Sequence, residues 1–309
     1  MKSEEITFRS GDSRLAGTLY KPETSALYPA IVAVHPASEA ERSSPFYEHL
    51  KVELPEYGIA VFIFDRRGSG ASEGNFETAD FDDLASDVIS AVEYLQSRMD
   101  IDPMKIGLHG TSQGAWIAPI AASRKPDIAC IVAVSASGVS PADQMNYGVA
   151  FHLEKDGFDR AAVDKAIELR NLVNEYFRGH VSREQAQGEL ARFEHEPWYE
   201  RAYLYPASEL PADITRSKWH YEMDYEPLSV WRGVDQPTLF LFAEMDEWVP
   251  IKQSIMNYRK VTRHLDDVTF EQIPGTDHLL RDQRGEISRL YLDTLIPWLK
   301  SRLFSNLSG

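Results

Sequence analysis

Cysteine is almost absent: Cys130 stands alone among 309 residues, which excludes an intrachain disulfide framework. Its place in the apolar run "IACIVAV" makes it a small buried hydrophobe rather than a working thiol. Long apolar runs are missing too. No stretch approaches the ~20 residues that span a bilayer, and the opening "MKSEEITFRS" lacks the apolar core of a secretory signal. The expectation is a cytoplasmic protein with no membrane partner. Positive charge is scarce: 32 Lys and Arg against 48 Asp and Glu leave a formal charge of −16, which repels nucleic acid and anionic membranes alike. There is no H-E-x-x-H, no Gly-Lys dipeptide for a P-loop, and the acids are scattered, so neither a metal nor another cofactor is expected. Internal repeats and low-complexity tracts are also lacking, and solenoid and linker readings go with them.

What is present reads as globular, with 43% hydrophobic and 26% charged residues in a chain long enough for one large α/β domain carrying an insertion. "ITFRS" and "RLAGTLY", joined by "GDS", alternate as an antiparallel pair with one buried face. Nearly continuous β-rich apolar runs then follow at Ala30–Val34, Ala60–Phe64, Ile106–Leu108, Ile128–Val134, Leu239–Phe242 and Val268–Ile273. Continuous runs suit strands covered on both faces. Between them Phe81, Leu84, Val88, Val92 and Leu95 recur at helical spacing, with acids ahead of them and the breaker Pro103 behind. Alternating strand and helix predict a mostly parallel sheet flanked by helices, with ligands at the strands' C-terminal ends.

From about residue 140 to 233 the strand signal vanishes. "RAAVDKAIELRNLVNEYFRG" places Val163, Ile167, Val173 and Tyr176 at helical spacing with Gly179 as a stop, and Ser182 with Gln185 makes a capping-box pattern. The expected organisation is a core of residues 1–139 and 234–309 with an inserted helical cap, 140–233. Its aromatics, Tyr147, Phe151, Phe177, Trp198, Tyr199, Tyr203, Trp219 and Tyr221, are expected mostly in the cap's own core, with some lining an apolar acyl pocket.

"LHGTSQGAW" places Ser112 between Gly110 and Gly114 where a strand-like segment gives way to a helix-like one, the context that a G-x-S-x-G nucleophile turn demands. Serine needs a base, and the base needs an orienting acid. Of nine histidines, His264 and His278 follow the late strand "TLFLF". His264 precedes the next strand run, at its wrong end, whereas His278 follows it in "PGTDHLL". For the acid, Glu244, Asp246 and Glu247 lie just past a strand end. Asp246 is favoured as lying in the loop proper, while Asp277 adjoins His278 and is poorly placed to reach the ring.

Ser112, Asp246 and His278, in that chain order, resemble the nucleophile, acid and histidine of the α/β-hydrolases. "DRRGSGASEG" and "AEMDEWVP" are similar to segments of the serine aminopeptidase-like and esterase-like branch. The resemblance covers the chain outside the cap and implies oxyanion donors from the backbone N–H of Gln113 and from the loop after "AIVAV". That loop departs from the family's His-Gly, reading His35-Pro36-Ala37; proline has no N–H, which leaves Ala37 or Ser38. The implied activity is a serine hydrolase on a small-molecule acyl substrate, most simply a carboxylic ester. Peptidase or acyltransferase activity, or a binding role with an idle triad, are the alternatives, and the oligomeric state, monomer or homodimer, is open. An oxidoreductase reading of "GSGASEG" fails on spacing, because G-x-G-x-x-x-G is one residue too long and the Tyr47-x-x-x-Lys51 pair precedes the glycines.

Overall fold

A computed structural model describes residues 2–23 and 27–304, so the outer limits of the expected core, residues 1 and 309, lie outside the described residues. Strands β1 (Lys2–Ser10) and β2 (Ser13–Lys21) pair antiparallel and bury Ile6, Phe8, Leu15 and Leu19 at period-two spacing. Strand β3 (Tyr28–Val34) is buried at every position. It divides its side chains between two cores: Ala30, Val32 and Val34 enter one, Ile31 and Ala33 the other. A strand sandwiched between helices has no polar face to present, which is why its run is unbroken.

Helix α1 (Glu48–Glu56) leads to β4 (Ala60–Phe64), and α2 (Phe81–Gln96), with its Asp80–Asp83 capping box, leads to β5 (Ile101–Thr111). Pro103 is not the helix breaker expected from the sequence. α2 stops at Gln96, and Pro103 lies within β5, where the register with β3 jumps from Tyr28–Ile101 to Ala30–Ile106. The bulged residues have no partner in that ladder, so the missing proline N–H breaks none of its bonds.

After β5 come α3 (Gly114–Arg124), β6 (Ile131–Val134), the helices α4 (Pro141–Lys155), α5 (Arg160–Phe177), α6 (Arg183–Phe193) and α7 (Lys218–Glu222), then β7 (Thr238–Ala243), α8 (Ile251–Val261), β8 (Val268–Ile273) and α9 (Arg289–Leu303). β6 begins three residues later than the apolar run suggests, because Ile128 N–H bonds Lys125 O in a turn and the ladder with β7 starts at Ile131. The eight strands run β1-β2-β4-β3-β5-β6-β7-β8, with the last six in that order parallel. This is the α/β-hydrolase architecture. The chain moves from β3 outward to β4 and then back across β3 to β5, so the strand order reverses between β3 and β5. In open α/β sheets the ligand crevice lies at the carboxyl ends of the strands beside such a reversal.

The segment from α4 to α7 has a hydrophobic cluster of its own, which includes Val149, Leu169, Phe177, Leu190 and Trp198. α6 starts with the Ser182–Gln185 capping box and α5 ends ahead of Gly179 at φ 78°, as the sequence predicts. Of the eight aromatics expected mostly in this core, Phe177, Trp198 and Tyr199 are fully buried, whereas Tyr203 and Tyr221 are more than half exposed. Helical spacing did not reach the last two, which follow or belong to one-turn helices.

Three buried histidines are held neutral, His49 and His109 beside Tyr291 and His35 at the end of β3. His49 donates Nδ1–H to Phe46 O at 2.8 Å, and the Tyr291 hydroxyl lies 2.7 Å from His109 Nε2 and 3.4 Å from His49 Nε2. His35 gives Nε2–H to Phe64 O at 2.5 Å. Burial pulls His35 and His49 down to about 4 and His109 to about 3. The unfolded chain takes up these protons near pH 6.5, the folded chain only well below it, so stability is lost as pH falls from about 6.5. Unfolding free energies from urea titrations between pH 7 and pH 5 should drop by ~1.4 kcal/mol per pH unit for each of these histidines once the unfolded form is protonated. A flat profile would refute the neutral cluster.

Candidate active site

A carbon added at Gly110 would lie 2.2 Å from Gly114 O, and one added at Gly114 would lie 2.2 Å from Val34 O. The glycines that bracket Ser112 are therefore demanded by backbone contact between β5, α3 and the end of β3. Ser112 itself is forced to φ 53°, a left-handed conformation that a side-chain-bearing residue rarely adopts. The strain is held in place by Ser112 N–H to Val134 O at 2.8 Å and by Ala115 N–H to Ser112 O at 2.9 Å.

The structure brings Ser112, His278 and Asp246 together. His278 Nδ1 lies 2.9 Å from both Asp246 carboxylate oxygens, and its Nε2 lies 2.9 Å from Ser112 Oγ. A carboxylate only accepts, so the ring proton sits on Nδ1 and Nε2 is free to accept the serine O–H. Asp246 is 2% exposed, and its Oδ1 also accepts the Trp248 and Val249 N–H groups at 2.9 Å each. Burial lowers the His278 pKa, but the hydrogen bond and charge of Asp246, helped by Glu247 and Asp277, outweigh it and the net direction is up.

The other acids bond backbone groups and not the ring, Glu247 accepting the His278 N–H at 3.3 Å. Glu244 accepts from Gly275 N–H at 2.8 Å, and Asp277 Oδ1 accepts from Leu279 and Arg281 N–H within its own turn. His264 Nε2 bonds Val234 O at 3.0 Å. Trp116, buried against Phe81 and Tyr225, donates its indole N–H to Ser137 O at 2.7 Å. Gln113 caps the N-terminus of α3, where backbone N–H groups and the helix dipole favour negative charge. Among the described residues, neither the Gln113 nor the Ala37 backbone N–H has a protein acceptor.

Three residues near the site carried no sequence signal. Ser135, at φ 50°, gives its hydroxyl to His278 O at 2.7 Å and so anchors the histidine's backbone to the end of β6. Arg66 donates to Pro36 O at 3.3 Å and to Ala37 O at 3.1 Å, which pins the loop after β3. Glu222 of α7, buried and ion-paired to Lys218 at 2.7 Å, lies 3.5 Å from Gln113 Nε2. Burial raises the Glu222 pKa against the pull of Lys218 and Arg66. None of the three belongs to a periodic pattern; each acts across the fold.

The glycine loop 68–74 is no phosphate cradle. It curls around its own anion: Ala71 N–H bonds Asp65 Oδ2 at 2.8 Å, and a Cβ on Gly70 would lie 2.4 Å from that oxygen. Tyr47 and Lys51 also part ways, the tyrosine to Glu39 O at 2.6 Å and the lysine to Glu48 at 2.7 Å. Among the described residues no three His, Cys, Asp or Glu side chains converge where a metal ion could sit, and no helix is long and apolar enough to cross a membrane.

Residues 10–275 match the X-Pro dipeptidyl-peptidase (S15) family. The chain belongs to this family. The match takes in Ser112 and Asp246 and stops three residues short of His278. The chain is 26% identical to acyltransferase DrtE of Aspergillus calidoustus, a match covering 74% of this chain and 80% of that one. It is 30% identical to an uncharacterized protein of Mycobacterium tuberculosis over 41% of this chain and 44% of the relative, so it spans less than half of that protein's length. Esterase Pf2001 of Pyrococcus furiosus shares the fold, at a TM-score of 0.64 and 16% identity over 98% of this chain and 93% of that one.

Since Gly114 has no room for a methyl group, Gly114→Ala should destabilise the protein by ~2 kcal/mol or more through forced separation of α3 from β3. Thermal melts would show it; Gly188, an open position, serves as the control for glycine replacement in a helix. An unchanged melting temperature for Gly114→Ala would contradict the packing described.

Proposed function

We propose that the protein is a serine hydrolase that cleaves a carboxylic ester of a small acyl substrate. The observation that supports this reading most is the unbroken chain of 2.9 Å contacts from Ser112 Oγ through His278 to Asp246. As the Ser112 oxygen bonds the substrate carbonyl carbon, its proton passes to His278 Nε2. Asp246 holds the ring and stabilises the imidazolium, and the N–H groups of Gln113 and Ala37 face the oxyanion. The alkoxide leaves with the proton from His278. A water then attacks the acyl-serine by the same route, gives its proton to the histidine, and frees the carboxylate and Ser112. No cofactor takes part in this scheme.

Residues 140–233 act in this reading as a cap over the crevice. Three contacts support it: Glu222 beside Gln113, a Gly148 on α4 that leaves 2.2 Å between an added Cβ and the Trp248 ring, and the His152 ring 4.8 Å from that of Trp248. The helical segment thus rests on the loops that carry Gln113 and Asp246. A net charge of −16 fits a small-molecule partner in the cytoplasm, with neither nucleic acid nor membrane involved. The acyltransferase relative favours a second reading, in which an alcohol or amine replaces water as the acceptor.

A fluorophosphonate probe should label the wild type and not Ser112→Ala, and p-nitrophenyl acetate through decanoate should be turned over only by the former, with kcat/KM down ~10³-fold or more in the variant. Because His278 is raised and must be neutral to act, activity should fall on acidification from above the ordinary imidazole pKa of about 6.5. Product partitioning with an added alcohol reads acyl transfer, and an Ala-Pro p-nitroanilide reads peptidase action. A folded wild type that is neither labelled nor active on any of these would overturn the reading in favour of a binding role.

A further inference from the structure

Arg170, on α5, is a buried cation without a counter-ion. It is 6% exposed, and all of its hydrogen bonds go to neutral groups: Nη1 to Ala202 O at 2.9 Å and Tyr203 O at 3.4 Å, Nε to Asn146 Oδ1 at 3.2 Å. Among the described residues no carboxylate pairs with it, and Nη2 has no acceptor. Burial brings the guanidinium down to about 10, and the groups acting against that pull are the phenols of Tyr203 and Tyr205, with no acid among them. A charge withdrawn from water without an opposite charge is strongly unfavourable. Something must repay it, and the protein itself supplies only dipoles.

The guanidinium borders a cavity of about 390 Å³, lined among others by Met145, Val173, Asn174, Tyr203, Tyr205 and Trp219. A volume of that size holds a small organic ligand. Several of its polar groups hold N–H or O–H donors without a protein acceptor. Asn174, also buried, uses Oδ1 to accept the Trp219 indole N–H at 2.9 Å, which leaves its Nδ2 hydrogens unpaired. The Tyr203 and Tyr205 hydroxyls have no acceptor among the described residues. Met145, Val173 and the Trp219 ring make the rest of the wall apolar. A donor-rich, positively charged corner beside an apolar wall is complementary to an anion with a hydrophobic body.

We propose that this cavity binds an organic carboxylate with an apolar or aromatic body, its carboxylate meeting Arg170 Nη2 and the Asn174 amide while the body lies on Trp219, Val173 and Met145. The site is distinct from the Ser112 relay but joined to it. Tyr203, held at φ 53°, sets its ring edge-on to Trp248 at 5.7 Å, and the Trp248 N–H bonds Asp246. Two sources offer this chemistry: the far end of a substrate whose ester lies at Ser112, which rests on the serine-hydrolase reading, or a separate molecule.

Calorimetric titration of full-length Ser112→Ala with hydrocinnamate and with its neutral amide, hydrocinnamamide, tests the site without turnover. The carboxylate should bind roughly tenfold or more tightly than the amide, and Arg170→Met should remove that preference. Arg170→Lys, which keeps the charge without the planar fork, should retain part of it and stands in if the methionine variant does not fold. Equal binding of acid and amide to Ser112→Ala, no binding of the acid, or an undiminished preference in a folded Arg170→Met would each overturn the proposal. With active protein, kcat/KM for the p-nitrophenyl monoester of suberic acid against p-nitrophenyl octanoate separates the sources. An acidic-ester preference that Arg170→Met abolishes assigns the cavity to the substrate; hydrocinnamate binding without such a preference assigns it to a separate ligand. Failure of both esters would count against the hydrolase reading and leave the calorimetric result to decide this one.

Discussion

Backbone touches backbone where β5 turns into α3. Gly110 faces the Gly114 carbonyl, and Gly114 faces the Val34 and His35 carbonyls, at separations that no side chain could share. That contact sets the left-handed turn at Ser112 and brings the first turn of α3 beside the loop after β3. It also lies between β3 and β5, where the strand order reverses. Ser112, the Gln113 amide and the His35–Ala37 loop thus derive their relative positions from one close approach. Their geometry is as rigid as the sheet is.

The buried carboxyl groups around the site find their partners by different means. Asp246 is almost wholly withdrawn from water, yet two backbone N–H groups and the His278 ring satisfy its oxygens. The anion is therefore solvated by fixed dipoles in place of water. Glu222 has Lys218 instead, and Asp65 is enclosed by Arg42 and the Ala71 amide. Arg170 departs from this pattern, since its partners are carbonyls and an amide.

The sheet was legible because buried parallel strands leave unbroken apolar runs, and the helices because their faces repeat. The contact of Ser112, His278 and Asp246 was legible because the three residues occupy strand-end positions in a fixed chain order, which let His278 be separated from His264 and Asp246 from Asp277. Pro103 misled because its bulge depends on the register with β3, which local sequence does not encode. Ser135, Arg66 and Glu222 act through contacts between residues far apart in the chain, and a single sequence carries no trace of such pairs. The one-turn helices of the segment after α6 are too short for periodicity to sort their aromatics into buried and exposed.

His278 is delivered by the strand with the least cover. β3, β4 and β7 are buried at every position, while β8, at the end of the sheet, is buried only at Ile273. Its loop is tied inward by the Ser135 hydroxyl to His278 O and by Met245 N–H to Thr276 O. Sheet margins open at a lower free energy than sheet centres. Detachment of β8 and its loop would withdraw the imidazole while Ser112 and Asp246 stay with β5 and β7, so the contact between the three side chains is only as durable as the hold on one peripheral strand.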